Sequence, residues 1–412
     1  MVTPAARLTL EQAKSLALSG NPQIHQSTQQ VESAYANLKG QRAPLNGTFS
    51  YAGVNNTVTS TDVSNPSNYS VLLPVETSGR FHLRNNQAKA QWEAATHDRD
   101  TTSLTVTQSV TTSYIGLQVA NAMFQSEQLS YDTAKQLLTL TSKQFEVGAV
   151  PETNVERSRI ALLQETINLN KARTDVLTAR VNLNTAIGRA PQTPVDVVDA
   201  LESDQINVAV AHLPEVDTLQ EIALEHRPEL QSAQSSKQAL SATTRLQRSQ
   251  FLPDLYLERD LARNTRVEVG LGIPLFDFGS IRGSVQKAEA DERVQDAQVE
   301  QVHQTIESDV RVAYLSLTNA RNSVDNYKTA IVPQAEALLK QIQAGYALGA
   351  NTLLEVLDAE STVRDARDGY FSALGDYRNA VAQLERAVGL PLASLPDVKT
   401  KTSLQTGSGD TK

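Results

Sequence analysis

The stretch VTTSYIGLQVANAMFQSEQLSYDTAKQLLTLTSKQF, residues 110–145, decides the fold. Val110, Leu117, Phe124, Tyr131, Leu138 and Phe145 recur in it every seven residues. Adding 200 to each number reaches Val310, Leu317, Val324, Ile331, Leu338 and Gly345, mostly apolar on the same period. A second pair of ladders answers at an offset of 201, Val155, Leu162, Leu169, Val176 and Leu183 against Val356, Val363, Tyr370, Tyr377 and Leu384. Apolar residues so spaced form one stripe of a helix, and that stripe needs a facing helix to cover it. The spacing predicts a duplicated unit built on long helical hairpins.

Punctuation around the ladders sets the limits of each copy. Long helices are expected from Arg80 to Val147 and from Ser280 to Leu348, broken by Gly148 and Gly349, with returning helices that end at Gly188 and Gly389. Glycine just past a helix can take the left-handed conformation that ends it. Short helices halted near Pro22 and Pro228, then Pro44 and Pro253, precede segments of strand character. Val267, Val269, Leu271 and Ile273 alternate with polar residues or glycine, and Tyr69, Val71, Leu73 and Val75 also recur at every second position. Leu255, Leu257 and Leu261 form a third face, on which Arg259 is the one charged intruder. The expected organisation is a first repeat at 1–189 (strand pair 46–76, hairpin 80–188) and a connector at 190–217. A second repeat follows at 218–392 (strand pair 254–275, hairpin 280–389), then a polar tail at 393–412.

Composition narrows the function. Aromatic residues make up 5% of the 412 and there is one Trp, a lean supply for a thick core but adequate for helical walls filled by Ala, Leu and Val. A net charge of −9 with no Lys/Arg-rich stripe argues against nucleic acid. Without cysteine there is no disulfide framework or thiolate metal site. His25, His82, His97, His212, His226 and His303 are scattered without ligand spacing, so neither metal nor cofactor is expected. No phosphate loop, nucleophile elbow or triad motif appears, and an enzyme is not expected. No apolar run reaches the length of a transmembrane helix, so a membrane role would fall to strands. Met1–Arg7 lacks the basic and apolar regions of a secretory signal, so an exported protein would be seen here in mature or recombinant form.

Taken together, these residues resemble the TolC family of outer-membrane channel proteins over about residues 8 to 392. The resemblance rests on the duplicated layout and on local matches. Leu73-Pro74-Val75 with Gly79 answers to Ile273-Pro274-Leu275 with Gly279, and Gln144–Ala149 stands opposite Ala344–Ala350. It implies an α+β fold in which long helical hairpins form a trimeric α-barrel tunnel. A twelve-stranded antiparallel transmembrane β-barrel, four strands per protomer, would top that tunnel. Physics also favours an oligomer, since four strands cannot close a barrel and open edges in lipid leave backbone groups unsatisfied. The implied function is an outer-membrane exit channel of a tripartite efflux or type I secretion system, passively conducting its cargo. The implied partners are two further copies, a periplasmic adaptor (membrane fusion) protein, an inner-membrane transporter and outer-membrane lipid, with the helices in the periplasm. The residues alone also admit a soluble periplasmic coiled-coil adaptor or scaffold.

The resemblance assigns roles to particular positions. Glu355 and Asp358, three apart on one helix face, match two acids that ring the family's periplasmic aperture. In a trimer their mutual repulsion should raise some pKa values and draw in cations. Tyr346 matches a tyrosine of the aperture lock, but the family's acid and base partners are replaced by Asn154 and Asn351, which leaves a neutral amide-to-phenol bond. Val147, Gly148, Ala149, Leu348, Gly349 and Ala350 fall on the hairpin tips that meet the adaptor in the family. Phe49, Tyr51, Tyr69, Phe276 and Phe278 flank the strands as girdle candidates, with core packing favoured for the last two.

Overall fold

The computed structural model describes residues 6–43, 48–52, 68–75, 79–198, 201–202, 213–260, 267–272 and 278–394. The sequence expectations for Pro44, Leu261, Ile273, Pro274, Leu275, Phe276 and the tail from 395 lie outside these residues. In chain order the elements are β1 (Ala6–Leu8), α1 (Leu10–Gly20), α2 (Pro22–Arg42), β2 (Thr48–Ala52), β3 (Asn68–Val75), α3 (Arg80–Glu146) and α4 (Glu152–Ile187). They continue with β4 (Val195–Val197), α5 (Val216–His226), α6 (Pro228–Ser249), β5 (Asp254–Asp260), β6 (Val267–Gly272) and α7 (Ser280–Asn326). A π turn at Tyr327–Ile331, α8 (Val332–Ala347), α9 (Leu353–Val388) and a 3-10 turn at Leu392–Ser394 complete the set. The chain divides into two compact units: residues Met1–His25, Thr102–Arg227 and Thr305–Lys412, and residues Gln26–Thr101 and Pro228–Gln304.

In the first unit, Val106, Val110, Tyr114 and Leu117 of α3 bury their side chains against Ala13 and Ala17 of α1 and Leu183 and Ile187 of α4. Leu8 and Val195 join the same core from the parallel pair β1 and β4. The spacing of 4, 4 and 3 along α3 keeps this stripe on one side of a helix with 3.6 residues per turn. In the second unit the helices meet largely through buried alanines, among them Ala88, Ala90, Ala94, Ala239, Ala242 and Ala288. Polar cross-links add to them, including Arg80 Nη2 donating to the Ser249 carbonyl at 2.6 Å and Gln87 Nε2 to Thr243 Oγ1 at 2.8 Å.

The ladders keep their register on the returning helices and lose it on the outgoing ones. Val155, Val176 and Leu183 of α4 and Val356, Val363, Tyr377 and Leu384 of α9 are all buried. Along α3 the buried positions pass from Val110 and Leu117 to Leu137 and Thr141, while Phe145 of the ladder is exposed. A straight helix drifts about 20° per heptad from a seven-residue repeat, enough over five heptads to rotate the stripe out of its seam.

The second outgoing helix differs from the expected continuous span. It is interrupted by the π turn, where the Val332 N–H bonds the Tyr327 carbonyl, five residues back. Pro333, in the first turn of α8, lacks the N–H that would bond the carbonyl of residue 329. The π turn inserts one residue there. The buried stripe accordingly moves from Ile331 and Leu338, both exposed, to Val332, Ala335 and Leu339, which pack with Val363 and Ala366. Gly369 gives Tyr327 its place, since a Cβ there would stand 2.6 Å from the ring.

The strands correct the expected architecture. They form an open, four-stranded antiparallel sheet in the order β2-β3-β5-β6, with strands of 5, 8, 7 and 6 residues. No closed sheet occurs among the described residues, so the twelve-stranded transmembrane β-barrel is not the architecture observed. The physical reason is length and number: a tilted span takes about 9–11 residues, and four strands cannot curl far enough to meet. The register sets Val71 beside Arg259, Leu73 beside Leu257, and Leu257 beside Val269. These residues share a face on which Leu73, Val269 and Leu271 are exposed. Arg259 needs no bulge: it pairs in register with Val71 and Val267 next to the end of its strand, with its side chain exposed. Phe278 is 97% exposed with φ of 45°, which corrects the expectation that it packs in a core.

Candidate functional site at the hairpin tips

Both hairpins turn by the same device. In the first, the Gly148 N–H bonds the Phe145 carbonyl and the Ala149 N–H bonds the Gln144 carbonyl, each at 2.8 Å. In the second, Gly349 bonds Tyr346 at 3.0 Å and Ala350 bonds Gly345 at 2.8 Å. This pair of bonds defines the Schellman motif, whose turning residue must be left-handed. Gly148 and Gly349 have φ of 73° and 75° with open space around them, so backbone conformation, not crowding, demands glycine. The preceding residues, Val147 and Leu348, are 80% and 86% exposed. Each tip therefore presents an apolar side chain, a glycine and an alanine to its surroundings.

The start of α9 carries the expected aperture acids. Thr352 accepts from the Glu355 N–H at 3.4 Å, and the Glu355 carboxylate accepts from the Thr352 N–H at 2.6 Å and its hydroxyl at 3.0 Å. The Thr352 backbone bond, then the Thr352 and Asn351 side chains, hold the Glu355 carboxyl below its usual pKa. Within one chain, then, this acid is held ionised, opposite to the rise that crowding of like charges would bring. Asp358 is exposed on the same face, one turn on, while Leu353, Val356 and Ala359 are buried on the other. Replacing Thr352 by alanine removes the cap and should destabilise the first turn of α9 by about 1 kcal/mol. Hydrogen exchange at residues 353–356 should then accelerate several-fold, with the helix beyond Val363 unchanged.

Tyr346 reaches across to the other hairpin, but to a different amide from those expected. Its hydroxyl donates to Gln144 Oε1 at 3.0 Å, and burial raises its pKa. Asn351 instead donates to Glu355 Oε2 at 3.4 Å, folding over Gly345, where a Cβ would stand 1.8 Å from its Oδ1. Asn154 uses its backbone, its N–H on the Pro151 carbonyl and its carbonyl on the Ser158 hydroxyl, both at 3.0 Å. The structure thus joins Tyr346 to Gln144 and Asn351 to Glu355, and it leaves Asn154 apart from Tyr346. Beside this bond Leu137, Leu353 and Val356 form a buried cluster with Ile342 and Tyr346 packed on it. The sequence signal for the cap was present as Thr352-x-x-Glu355, the capping-box pattern. None singled out Gln144 as the tyrosine's partner.

The family model for "Outer membrane efflux protein" matches residues 13–189 and 219–390, most of both halves. The chain belongs to that family. Among relatives of this outer-membrane efflux protein, the cobalt-zinc-cadmium resistance protein CzcC of Cupriavidus metallidurans is 24% identical, with 93% of this chain and 91% of the relative covered. The outer membrane protein TolC of Salmonella enteritidis is also 24% identical, covering 92% of this chain and 83% of TolC. A solved membrane protein from Pseudomonas aeruginosa superimposes with a TM-score of 0.81 at 18% identity, over 93% of each chain. Membership places this protein in the outer membrane as a passive exit channel and removes the soluble adaptor from consideration. Among the described residues, no helix is long and apolar enough to cross a membrane, and no group of three or more His, Cys, Asp or Glu is set to hold a metal ion.

Proposed function

We propose that three copies assemble around a helical tunnel and that the hairpin tips form its inner aperture. A periplasmic adaptor grips the tips there, and an inner-membrane transporter supplies the energy. The observation that carries this reading is the twinned tip: both halves of a family-matched chain end in an exposed apolar residue followed by Gly-Ala, beside a helix that opens with exposed carboxylates. Val147, Gly148, Ala149, Leu348, Gly349 and Ala350 are the adaptor contacts, because small residues permit close approach and the two apolar side chains gain from burial. Glu355 and Asp358 line the aperture, and the Tyr346–Gln144 bond, with Asn351 bracing Glu355, ties the hairpins together. Asn154 supports the neighbouring turn.

The cargo is set by the transporter, since the names of the relatives range from metal resistance to pyoverdine export. Single-channel recording in planar bilayers tests the aperture. Divalent cations should reduce conductance of the unaltered channel, and Glu355→Ala/Asp358→Ala should weaken that block at least several-fold. Equal block in the two proteins would remove the carboxylates from the aperture.

A further inference from the structure

Away from the tips, the first unit holds carboxyl groups on both hairpins that the exit-channel reading does not use. Glu127 of α3 is only 8% exposed, and its Oε2 meets no protein donor. Asp368 of α9 likewise buries an Oδ1 without a donor. The two side chains are within hydrogen-bonding reach of each other. Two carboxylates can only accept, so that bond exists when one of the pair carries a proton.

Their surroundings deepen the need for it. Arg364 of α9, the guanidinium beside the pair, is engaged by Glu165 of α4 at 2.6 Å and by Asp365 at 3.2 Å. Just beyond lies a cavity of about 510 Å³ lined by Glu165, Arg364, Glu360 of α9 and, from α8, Glu336, Lys340 and Gln343. Glu336 is taken by Arg367 at 2.6 Å, and Glu360 is bonded by Gln343. No set of three or more ligating side chains is arranged for a metal here among the described residues.

We propose that Glu127 and Asp368 form a proton-binding site that latches the first hairpin to the second, and that losing the proton loosens the seam. Burial, then the negative charges of Asp368 and Glu165, raises the Glu127 carboxyl to about 7. Burial also brings Glu360 to about 7 and raises Asp368. With the hairpins apart, a glutamate returns to about 4.5. Between those values the latched seam binds more protons than the open one, so the latch weakens as pH rises from about 4.5 and the weakening levels off above about 7. The balance is simple: one proton leaves to water, and two carboxylates are left facing each other beside a guanidinium already shared.

The chain has no cysteine, which makes site-directed labelling clean. Nitroxides would be placed by Leu129→Cys on α3 and Ala337→Cys on α8 in the full-length protein. Their separation would be read by pulsed electron resonance from about pH 5 to about pH 8.5. The distance should lengthen or broaden as pH rises, with the change levelling off above about 7, and the latched fraction should fall at least about tenfold across the range. Glu127→Gln should shrink that transition, and Glu127→Gln/Glu360→Gln should abolish it with the short distance retained. Asp368→Asn provides an independent variant with the same expectation as Glu127→Gln. An unchanging distance in the parent protein, or an unaltered transition in Glu127→Gln and Asp368→Asn, overturns the latch. Neither result bears on the conductance test of the aperture, so the two readings fail separately.

Discussion

Tyr114→Ala is expected to destabilise the protein by about 3–5 kcal/mol, the range for emptying an aromatic site in a close-packed core. Tyr114 is 1% exposed, and its hydroxyl donates to the Leu8 carbonyl at 3.1 Å. It lies where α1, α3, α4 and the β1–β4 pair converge, so no single neighbour can collapse into the space. Tyr114→Phe separates the two contributions. It keeps the ring and gives up one buried hydrogen bond, a loss of about 0.5–1.5 kcal/mol, because the Leu8 carbonyl keeps its 3.1 Å bond from the Val198 N–H. Thermal unfolding of the three proteins in the same detergent should rank them parent, Phe, Ala. A Phe variant as unstable as Ala would show that the hydroxyl, and not the ring, holds this junction.

Gly188→Ala is the second large effect, and it acts through the backbone. Gly188 ends α4 at φ of 87°, and a Cβ added there would lie 2.8 Å from both the Asn21 Cα and the Gly20 carbonyl oxygen. Left-handed strain contributes about 1 kcal/mol for alanine. The collision adds more, because main chain on both sides must separate and Asn21 Nδ2 would then lose its 2.8 Å bond to the Ala186 carbonyl. A total of about 3 kcal/mol or more is expected. The comparison that isolates the collision is Gly148→Ala, which has similar φ but open space and should show only the strain. Equal losses of melting temperature in the two variants would rule out the close approach of the α1–α2 joint to the end of α4.

Much of the helical plan was legible because it is written in local pattern. The turn glycines, the returning-helix ladders and the strands that follow Pro253 rest on spacing and backbone preference alone. The outgoing ladders were harder. Seven-residue spacing predicts a stripe from Val110 to Phe145, yet the buried side moves on to Leu137 and Thr141, because helical twist and the repeat do not match. Pro333 carried the one signal for the π turn, and its meaning depends on which face of the helix must stay covered. At the tips, Thr352 and Glu355 announced their cap within four residues of chain. The Tyr346–Gln144 bond joins opposite halves of the sequence, and no local rule selects that glutamine over Asn154.

Sequence by itself determined the duplication, the long helices, where they reverse and that Glu355 and Asp358 share one face of α9. All of these depend on residues a few positions apart, whose geometry the backbone dictates. Tertiary structure alone decided that the strands make an open sheet of four rather than a closed barrel, and that Glu127 lies against Asp368. Burial and the electrostatic field at a buried carboxyl are set by what other helices bring to it, and a neighbour distant in the chain leaves no trace in the local pattern.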